Sequence, residues 1–245
     1  MPADFHELQI AGIVQETHDT RSFVLDVPES LREAFRYRAG QFLTFEVAWN
    51  GMQLHRCYSL SSAPETDPRP KVTVKRVEDG RISNWFNDNV NVGDSIMVQP
   101  PEGRFTIRSN EGDHGIVLFG GGSGITPVLS VLKSALRTTT RDVKLIYANR
   151  DAGSIIFKDE IDLWLAEFPD RLEVVHHLDS ESGFMSVADI QEQIRGWEDG
   201  EYFVCGPTGY MDAVEEACKA SNIDIGQTKF ERFISMIDPD RREEA

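Results

Sequence analysis

The first hundred residues carry short runs rich in β-branched and aromatic side chains, several of them alternating apolar and polar positions. The runs fall at Gln9–Thr17, Thr20–Val27, Gln41–Val47, Arg56–Leu60, Lys71–Val77 and Ser95–Gln99, and the period of two marks them as strands. Turn chemistry separates them, at Ala39-Gly40, Asn50-Gly51, Glu78-Asp79-Gly80 and Pro100-Pro101-Glu102-Gly103. Many short antiparallel strands at this spacing predict a closed barrel. One short helix fits Ile82–Asn89, with Ser83 as its cap.

After Gly115 the period changes. Ile116-Val117-Leu118-Phe119 is a continuous apolar run, as expected of a strand buried on both faces. A glycine cluster follows, then helical spacing over Val128–Leu136. Strands are expected at Val143–Tyr147, Leu172–His177 and Glu201–Cys205, and helices at Lys158–Glu167, Ser186–Gln193 and Tyr210–Ser221. Strand and helix alternate four times, which predicts a parallel sheet with helices on its faces. The expected division is a β-barrel domain over residues 1–108, an α/β domain over 109–235, and a polar tail or linker stub over 236–245.

Charge supports that division. The chain carries a net charge of −16 over 245 residues. Residues 1–108 hold 12 Lys/Arg and 15 Asp/Glu, whereas 109–245 hold 13 and 26. So acidic a protein is a poor partner for nucleic acid or an anionic membrane. No apolar run approaches the roughly 20 residues of a membrane helix, and the start MPADFHELQI has neither a basic nor an apolar signal region. A cytoplasmic location is expected. Cys57, Cys205 and Cys218 are odd in number and widely spaced, so no disulfide framework is expected. Three thiols also fall short of the four thiolates of a usual iron–sulfur cluster, and no metal site is expected.

Three segments carry candidate chemistry. Gly120-Gly121-Gly122-Ser123-Gly124-Ile125-Thr126-Pro127 lies between a buried strand and a helix. Thr126 suits an N-cap and Pro127 the first helical position. The exposed backbone N–H groups there suit a pyrophosphate; a plain tight turn is the alternative, since Pro127 stands where a strict G-x-G-x-x-G has its third glycine. Cys205-Gly206-Pro207-Thr208-Gly209-Tyr210-Met211 also joins strand to helix. Cys205 is either an inert packing residue or a wall of a ligand site. In Arg56-Cys57-Tyr58-Ser59-Leu60-Ser61-Ser62, Arg56 can pair with phosphate, Tyr58 can stack on a planar ring and Ser59 can hydrogen-bond a ring nitrogen. A barrel strand with an exposed arginine and a packed tyrosine is the bland reading of the same residues.

Taken in order, these segments resemble the motifs of ferredoxin–NADP reductase-type flavoproteins, and among them the reductase components of multicomponent oxygenases, such as ketosteroid hydroxylase and phenylacetyl-CoA epoxidase reductases. The resemblance spans roughly residues 8–235. It implies an N-terminal flavin-binding antiparallel β-barrel of Greek-key type and a C-terminal α/β parallel-sheet nucleotide-binding domain. Arg56-x-Tyr58-Ser59 is similar to the flavin motif. Lys75-Arg76-Val77 with Gly80-Arg81-Ile82-Ser83 is similar to the flavin pyrophosphate segment. Gly120–Pro127 resembles the nicotinamide-cofactor loop, and Cys205-Gly206-Pro207 with Met211 the late loop beside the nicotinamide.

The resemblance implies FAD rather than FMN, with NADH or NADPH as hydride donor. It places Tyr58 on the flavin ring, Ser59 near its N5, and Arg56 and Ser83 on the diphosphate, helped by the amides of Arg81–Ser83. Gly121, Gly122, Gly124 and Pro127 belong to the nicotinamide loop, and Thr126 is expected between the two rings. Glu231 and Phe233, in Phe230-Glu231-Arg232-Phe233, match the closing segment near the flavin face. Ser59, Thr126, Cys205 and Glu231 are the expected catalytic set, Glu231 as a proton relay. The donor is read at Asn149-Arg150-Asp151: Arg150 suits a 2′-phosphate, Asp151 repels one and suits a ribose hydroxyl. NADH is slightly favoured.

The implied reaction passes hydride from the nicotinamide to the flavin, then single electrons to an iron–sulfur protein (a ferredoxin or 2Fe–2S domain) or an oxygenase component. Arg32, Arg36, Arg38, Lys71, Lys75 and Arg76 are candidates for a basic docking face, or else solvated surface charges. A free flavin reductase or diaphorase, and a non-enzymatic flavin-binding electron-transfer or redox-sensing subunit, are the rival readings. The oxygenase reductases usually continue into a 2Fe–2S domain, so the expectation is either a separate iron–sulfur protein or a longer chain beyond Ala245, with Ser235–Ala245 as a linker. A monomer is entertained as the assembly.

Overall fold

The computed structural model describes residues 4–107, 114–224, 226 and 228–233. Six strands form the first sheet: β1 (His6–Thr17), β2 (Thr20–Asp26), β3 (Phe42–Trp49), β4 (Met52–Ser59), β5 (Lys71–Lys75) and β6 (Ser95–Val98). Their spatial order is β4-β3-β6-β1-β2-β5, with β6 inserted between β3 and β1, the crossed order of a Greek-key barrel. All pairings are antiparallel. The two outermost strands meet through a single bridge, Leu60 to Val72, and Ser61 N donates to Lys71 O at 2.8 Å beside it. That contact closes the barrel.

The hairpin of β3 and β4 runs right up to its turn, longer than the sequence pattern indicates. Asn50 and Gly51 both have positive φ, 47° and 78°, the type I′ geometry whose twist matches the flanking strands. Inside the barrel Leu8, Ile10, Phe23, Leu25, Phe45 and Phe86 form a buried core. Phe86 comes from helix α1 (Arg81–Asn89), which packs on the barrel through it and Ile82.

The second sheet is parallel throughout, in the order β11-β10-β7-β8-β9. Its strands are β7 (Ile116–Gly121), β8 (Val143–Asn149), β9 (Leu172–Leu178), β10 (Glu201–Cys205) and β11 (Thr228–Glu231). The helices are α2 (Ile125–Thr138), α3 (Lys158–Glu167), the short α4 (Asp179–Ser182), α5 (Val187–Ile194) and α6 (Thr208–Ala220). The continuous apolar run of β7 has a simple cause. Ile116 and Leu118 pack with α2 and α3, whereas Val117 and Phe119 pack with α5 and α6, so both faces are covered. Ser186 caps α5 in a reciprocal box with Asp189.

β11 is absent from the strands that the sequence pattern predicts. Thr-Lys-Phe-Glu is four residues long with three of them polar, and only its pairing with β10 makes it a strand. The expected domain boundary at 108/109 and the tail over 236–245 lie outside the described residues. Among the described residues no helix is long and apolar enough to cross a membrane, and no group of three or more His, Cys, Asp or Glu is placed to hold a metal ion.

Candidate active site

After β7 the chain turns to β8 and β9 on one side of the sheet, and returns with β10 on the other. The point where the order reverses lies between β7 and β10, and ligands of open α/β sheets collect outside the carboxyl ends of the strands there. Three loops leave the sheet side by side at that edge. Gly120 is level with Cys205, and Cys205 with Glu231. The glycine turn, the Gly206–Thr208 segment and Arg232–Phe233 therefore converge on one cleft of about 580 Å³. The barrel contributes Lys75, from the end of β5, to its wall. Gly121, Gly122, Gly124, Gly206, Pro207, Met211 and Phe233 all line it, as does Lys75. Ser123, Thr208 and Arg232 join them, to which the sequence motifs give no role.

The glycines serve the packing of the loops as well as the space between them. A Cβ on Gly124 would lie 2.2 Å from Cys205 O, a backbone atom that cannot swing away. Glycine at 124 is thus the condition for the two loops to touch. Gly122 is different: its φ is +51° and nothing stands within 4 Å of the added carbon, so it faces open space. The Tyr147 hydroxyl donates to Gly122 O at 3.2 Å and accepts from Ile156 N at 3.2 Å, fixing the turn from behind.

Helix α2 starts earlier than the motif indicates. Its N-cap is Gly124, so Thr126 is inside the first turn rather than capping it, and Pro127 follows as the third helical residue. Proline is still tolerated there because the first-turn N–H groups have no intrahelical partner. Thr126 is buried, and its Oγ1 donates to Ser123 O at 3.1 Å. It braces the turn and does not line the cleft. Cys205 is fully buried in the sheet core. Burial, and then the nearby Glu231 carboxylate, push its thiol well above the ordinary range. Glu231 itself is partly buried, and desolvation raises its carboxyl to about 7.

The barrel side forms a second group. Strand alternation puts Arg56 and Tyr58 on one face of β4. The Tyr58 ring meets Phe86 edge-on, centroids 5.2 Å apart, so α1 sets its position. The next residue, Ser59, is buried, and among the described residues its hydroxyl finds no hydrogen-bond partner, an arrangement that costs free energy unless a ligand completes it. Arg56 donates to His55 O at 2.9 Å. The N-cap of α1 is Gly80, not Ser83; the Ser83 hydroxyl instead accepts from Val77 N at 3.2 Å. No acidic residue occupies the first turn of α1, which leaves its positive end for an anion. The Ile82 side chain is in the barrel core, so only its backbone N–H is available there. A buried hydroxyl left without a partner, a tyrosine ring, an arginine and a helix N-terminus are the groups that a planar ligand carrying phosphate would use.

Arg150 lies past the end of β8 and pairs with Asp151 at 2.9 Å. Arg150 and Ser154 hold the Asp151 carboxyl below its usual range. Five of the six residues expected on a basic docking face, Arg32, Arg36, Lys71, Lys75 and Arg76, stand in ion pairs with acidic side chains. Lys71 faces Glu160, Arg76 faces Asp88, and Arg32 and Arg36 face Glu29 and Glu33. Arg32 and Arg36 line a separate groove of about 810 Å³ with Tyr37 and Arg69, where none of the motif residues is found.

Comparison with known proteins matches residues 7–107 to the oxidoreductase FAD-binding domain and residues 118–216 to the oxidoreductase NAD-binding domain. A 3-ketosteroid-9-alpha-monooxygenase ferredoxin reductase component from Rhodococcus rhodochrous is 45% identical over 230 residues, 94% of this chain and 65% of the relative. The chain thus spans just under two thirds of that relative's length. A 1,2-phenylacetyl-CoA epoxidase component from Escherichia coli is 32% identical over 94% of this chain and 68% of its own. Among solved structures, the flavohem-like FAD/NAD binding domain of a nitric oxide dioxygenase from Vibrio cholerae superposes with a TM-score of 0.74. It is 25% identical, and the match covers 94% of this chain and 99% of that one.

Proposed function

The chain belongs to the oxidoreductases that join an FAD-binding to an NAD-binding domain, and from this premise we propose that it is an NADH-dependent flavoprotein reductase that passes electrons singly to an iron–sulfur protein or oxygenase component. The observation that carries the reading is the cleft in which Lys75 of the barrel meets three loops of the parallel sheet.

Bound FAD would supply the exchange between a two-electron nicotinamide donor and one-electron acceptors. The chain's own residues bind and orient. Tyr58 supports the flavin ring, and the free Ser59 hydroxyl donates to a ring nitrogen. Arg56 pairs with the diphosphate, which also sits at the N-terminus of α1 against the amides of Arg81–Ser83 and the Ser83 hydroxyl. Lys75, expected at the flavin pyrophosphate but lining the cleft, joins the Gly121–Gly124 turn in holding the pyrophosphate of the nicotinamide dinucleotide. Pro207 and Met211 form the side wall, and Phe233 limits water entry. Cys205 shapes the floor behind Gly206 as a neutral thiol, and Glu231 holds a proton below about pH 7.

Asp151, held as an anion by Arg150 and Ser154, stands where a 2′-phosphate would bring like charge, which favours NADH over NADPH. The partner class is drawn from relatives named as ferredoxin reductase components. Turnover with a 2Fe–2S ferredoxin, compared with free flavin and ferricyanide, tests it. An iron–sulfur acceptor should be reduced at least as fast as the small molecules, and a strong preference for free flavin would instead make the protein a flavin reductase.

A further inference from the structure

We infer that helix α2 is a strut that fixes the spacing between the flavin side of the barrel and the nucleotide turn, with Ser130, Lys133 and Asp67 as its positioning residues. The inference rests on the proposed function for its consequence, not for its geometry.

The helix begins at the glycine turn. Nine residues on, about 13 Å along the axis at the usual rise, Lys133 is only 1% exposed. Its ammonium makes two ion pairs, 2.9 Å to Asp67 of the barrel and 2.8 Å to Glu160 of α3. Glu160 also takes Lys71 of the barrel at 3.2 Å. Three residues before Lys133, on the same helix face, Ser130 is fully buried. Its hydroxyl donates to Ser62 O at 2.5 Å and accepts from Gly40 N at 3.1 Å.

The barrel end of this attachment is braced in turn. The Ser62 hydroxyl is 2.7 Å from the Tyr37 hydroxyl and accepts from Lys71 N at 2.9 Å. Asp67 also accepts from Ala63 N at 2.9 Å and from the Thr66 hydroxyl at 2.8 Å. Ser62 is three residues beyond Ser59. A short path of covalent and directional polar links therefore runs from Tyr58-Ser59, through Ser62 and Asp67, to Ser130 and Lys133, and along α2 to Gly121–Gly124.

Stability alone does not account for it. Apolar residues of similar volume commonly serve as well as a buried ion pair, and what the pair adds is a single geometry. Two apolar faces can slide over each other, whereas an ammonium shared between two domains at hydrogen-bond distance cannot. A misplacement of about 1 Å between reacting groups can lower a rate about 100-fold, so a reductase that stacks two rings held by different domains gains from such a tie.

The test uses pulsed-EPR distances on the full, flavin-loaded chain. Cys57, the exposed native thiol, is replaced by serine, and spin labels are placed on Met52→Cys in the barrel and Phe184→Cys in the α/β domain, positions 46% and 88% exposed. In this background Lys133→Met, Asp67→Asn and Ser130→Ala are compared with the parent. The distance distribution should broaden or shift beyond the parental width. FAD and NADH affinities should stay within about twofold, and the limiting rate of flavin reduction should fall about 10-fold or more. Should Lys133→Met fail to fold, the two milder variants decide. An unchanged distribution, or a broadened one with an unchanged limiting rate, overturns the inference. A parent protein that NADH does not reduce would instead sink the proposed function, and the distances would still report whether α2 ties the domains together.

Discussion

Cys205 and Glu231 stand level with one another on the neighbouring parallel strands β10 and β11, one fully buried and the other partly buried. Burial raises the Glu231 carboxyl to about 7. It is therefore largely protonated below that pH and ionised above it. If it serves as the proton-holding group, the limiting rate of flavin reduction should fall as pH rises through about 7, and Glu231→Gln should flatten the profile. The linked stability effect has the same sign. The folded state holds this proton up to about pH 7 and the unfolded chain only to its ordinary value of 4.5, so this group's contribution is full below pH 4.5 and is lost as pH rises through 7. Denaturant titrations at pH 5 and 8 should show the difference shrink in the Gln variant.

The same pair fixes the state of the thiol. Cys205 is held as SH by burial, and Cys218 is pushed up to about 11 by the same cause, whereas Cys57 is exposed. Alkylation of the native protein at pH 7.5, read by peptide mass spectrometry, should modify Cys57 and leave Cys205 untouched, because the thiolate is the reactive form. Rapid labelling of Cys205 would mean a thiolate in the site and a different role for it.

Arg56 offers a sharper test of the barrel side. A hydrogen bond to a charged group contributes about 1.5–3 kcal/mol, so Arg56→Ala should weaken FAD binding roughly 10- to 100-fold, measured by flavin fluorescence on dilution. The NADH-binding loops belong to the other domain and should be unaffected. FAD retention at parental strength would place the diphosphate elsewhere.

Gly124→Ala sets a methyl group 2.2 Å from Cys205 O. The two loops must part, and the start of α2 must move with them. The expected outcome is a rise in the KM for NADH of about 10-fold or more, with bound flavin retained. A variant with parental kinetics would show that the contact of the two loops does not shape the nucleotide site.

How much of this is legible in the sequence depends on how local each signal is. The glycine turn, the Arg56–Ser59 segment and the run Ile116–Phe119 are local patterns, and the structure places them at a cleft, on a barrel strand and in a doubly covered strand. Barrel closure through Leu60 and Val72 is a long-range contact between two ordinary apolar residues, and no local pattern announces it. β11 is a strand only because β10 offers it an edge. The helix caps differ from expectation for a related reason. Thr126 and Ser83 have the side chains of N-caps, yet Gly124 and Gly80 hold those positions because backbone packing sets the start of each helix. Lys133 hides within an apolar helix, although a lysine amid Val128, Leu129, Val131 and Leu132 is itself a sign that something opposite must neutralise it.

The most direct measurement is an anaerobic titration of the flavin-loaded protein with NADH, followed by its visible absorbance, with NADPH in parallel. One equivalent of NADH per flavin should abolish the flavin band, and NADPH should do so more slowly. A protein that binds FAD but keeps its colour with both donors would contradict the placement of a nicotinamide in the sheet cleft within reach of a flavin on the barrel.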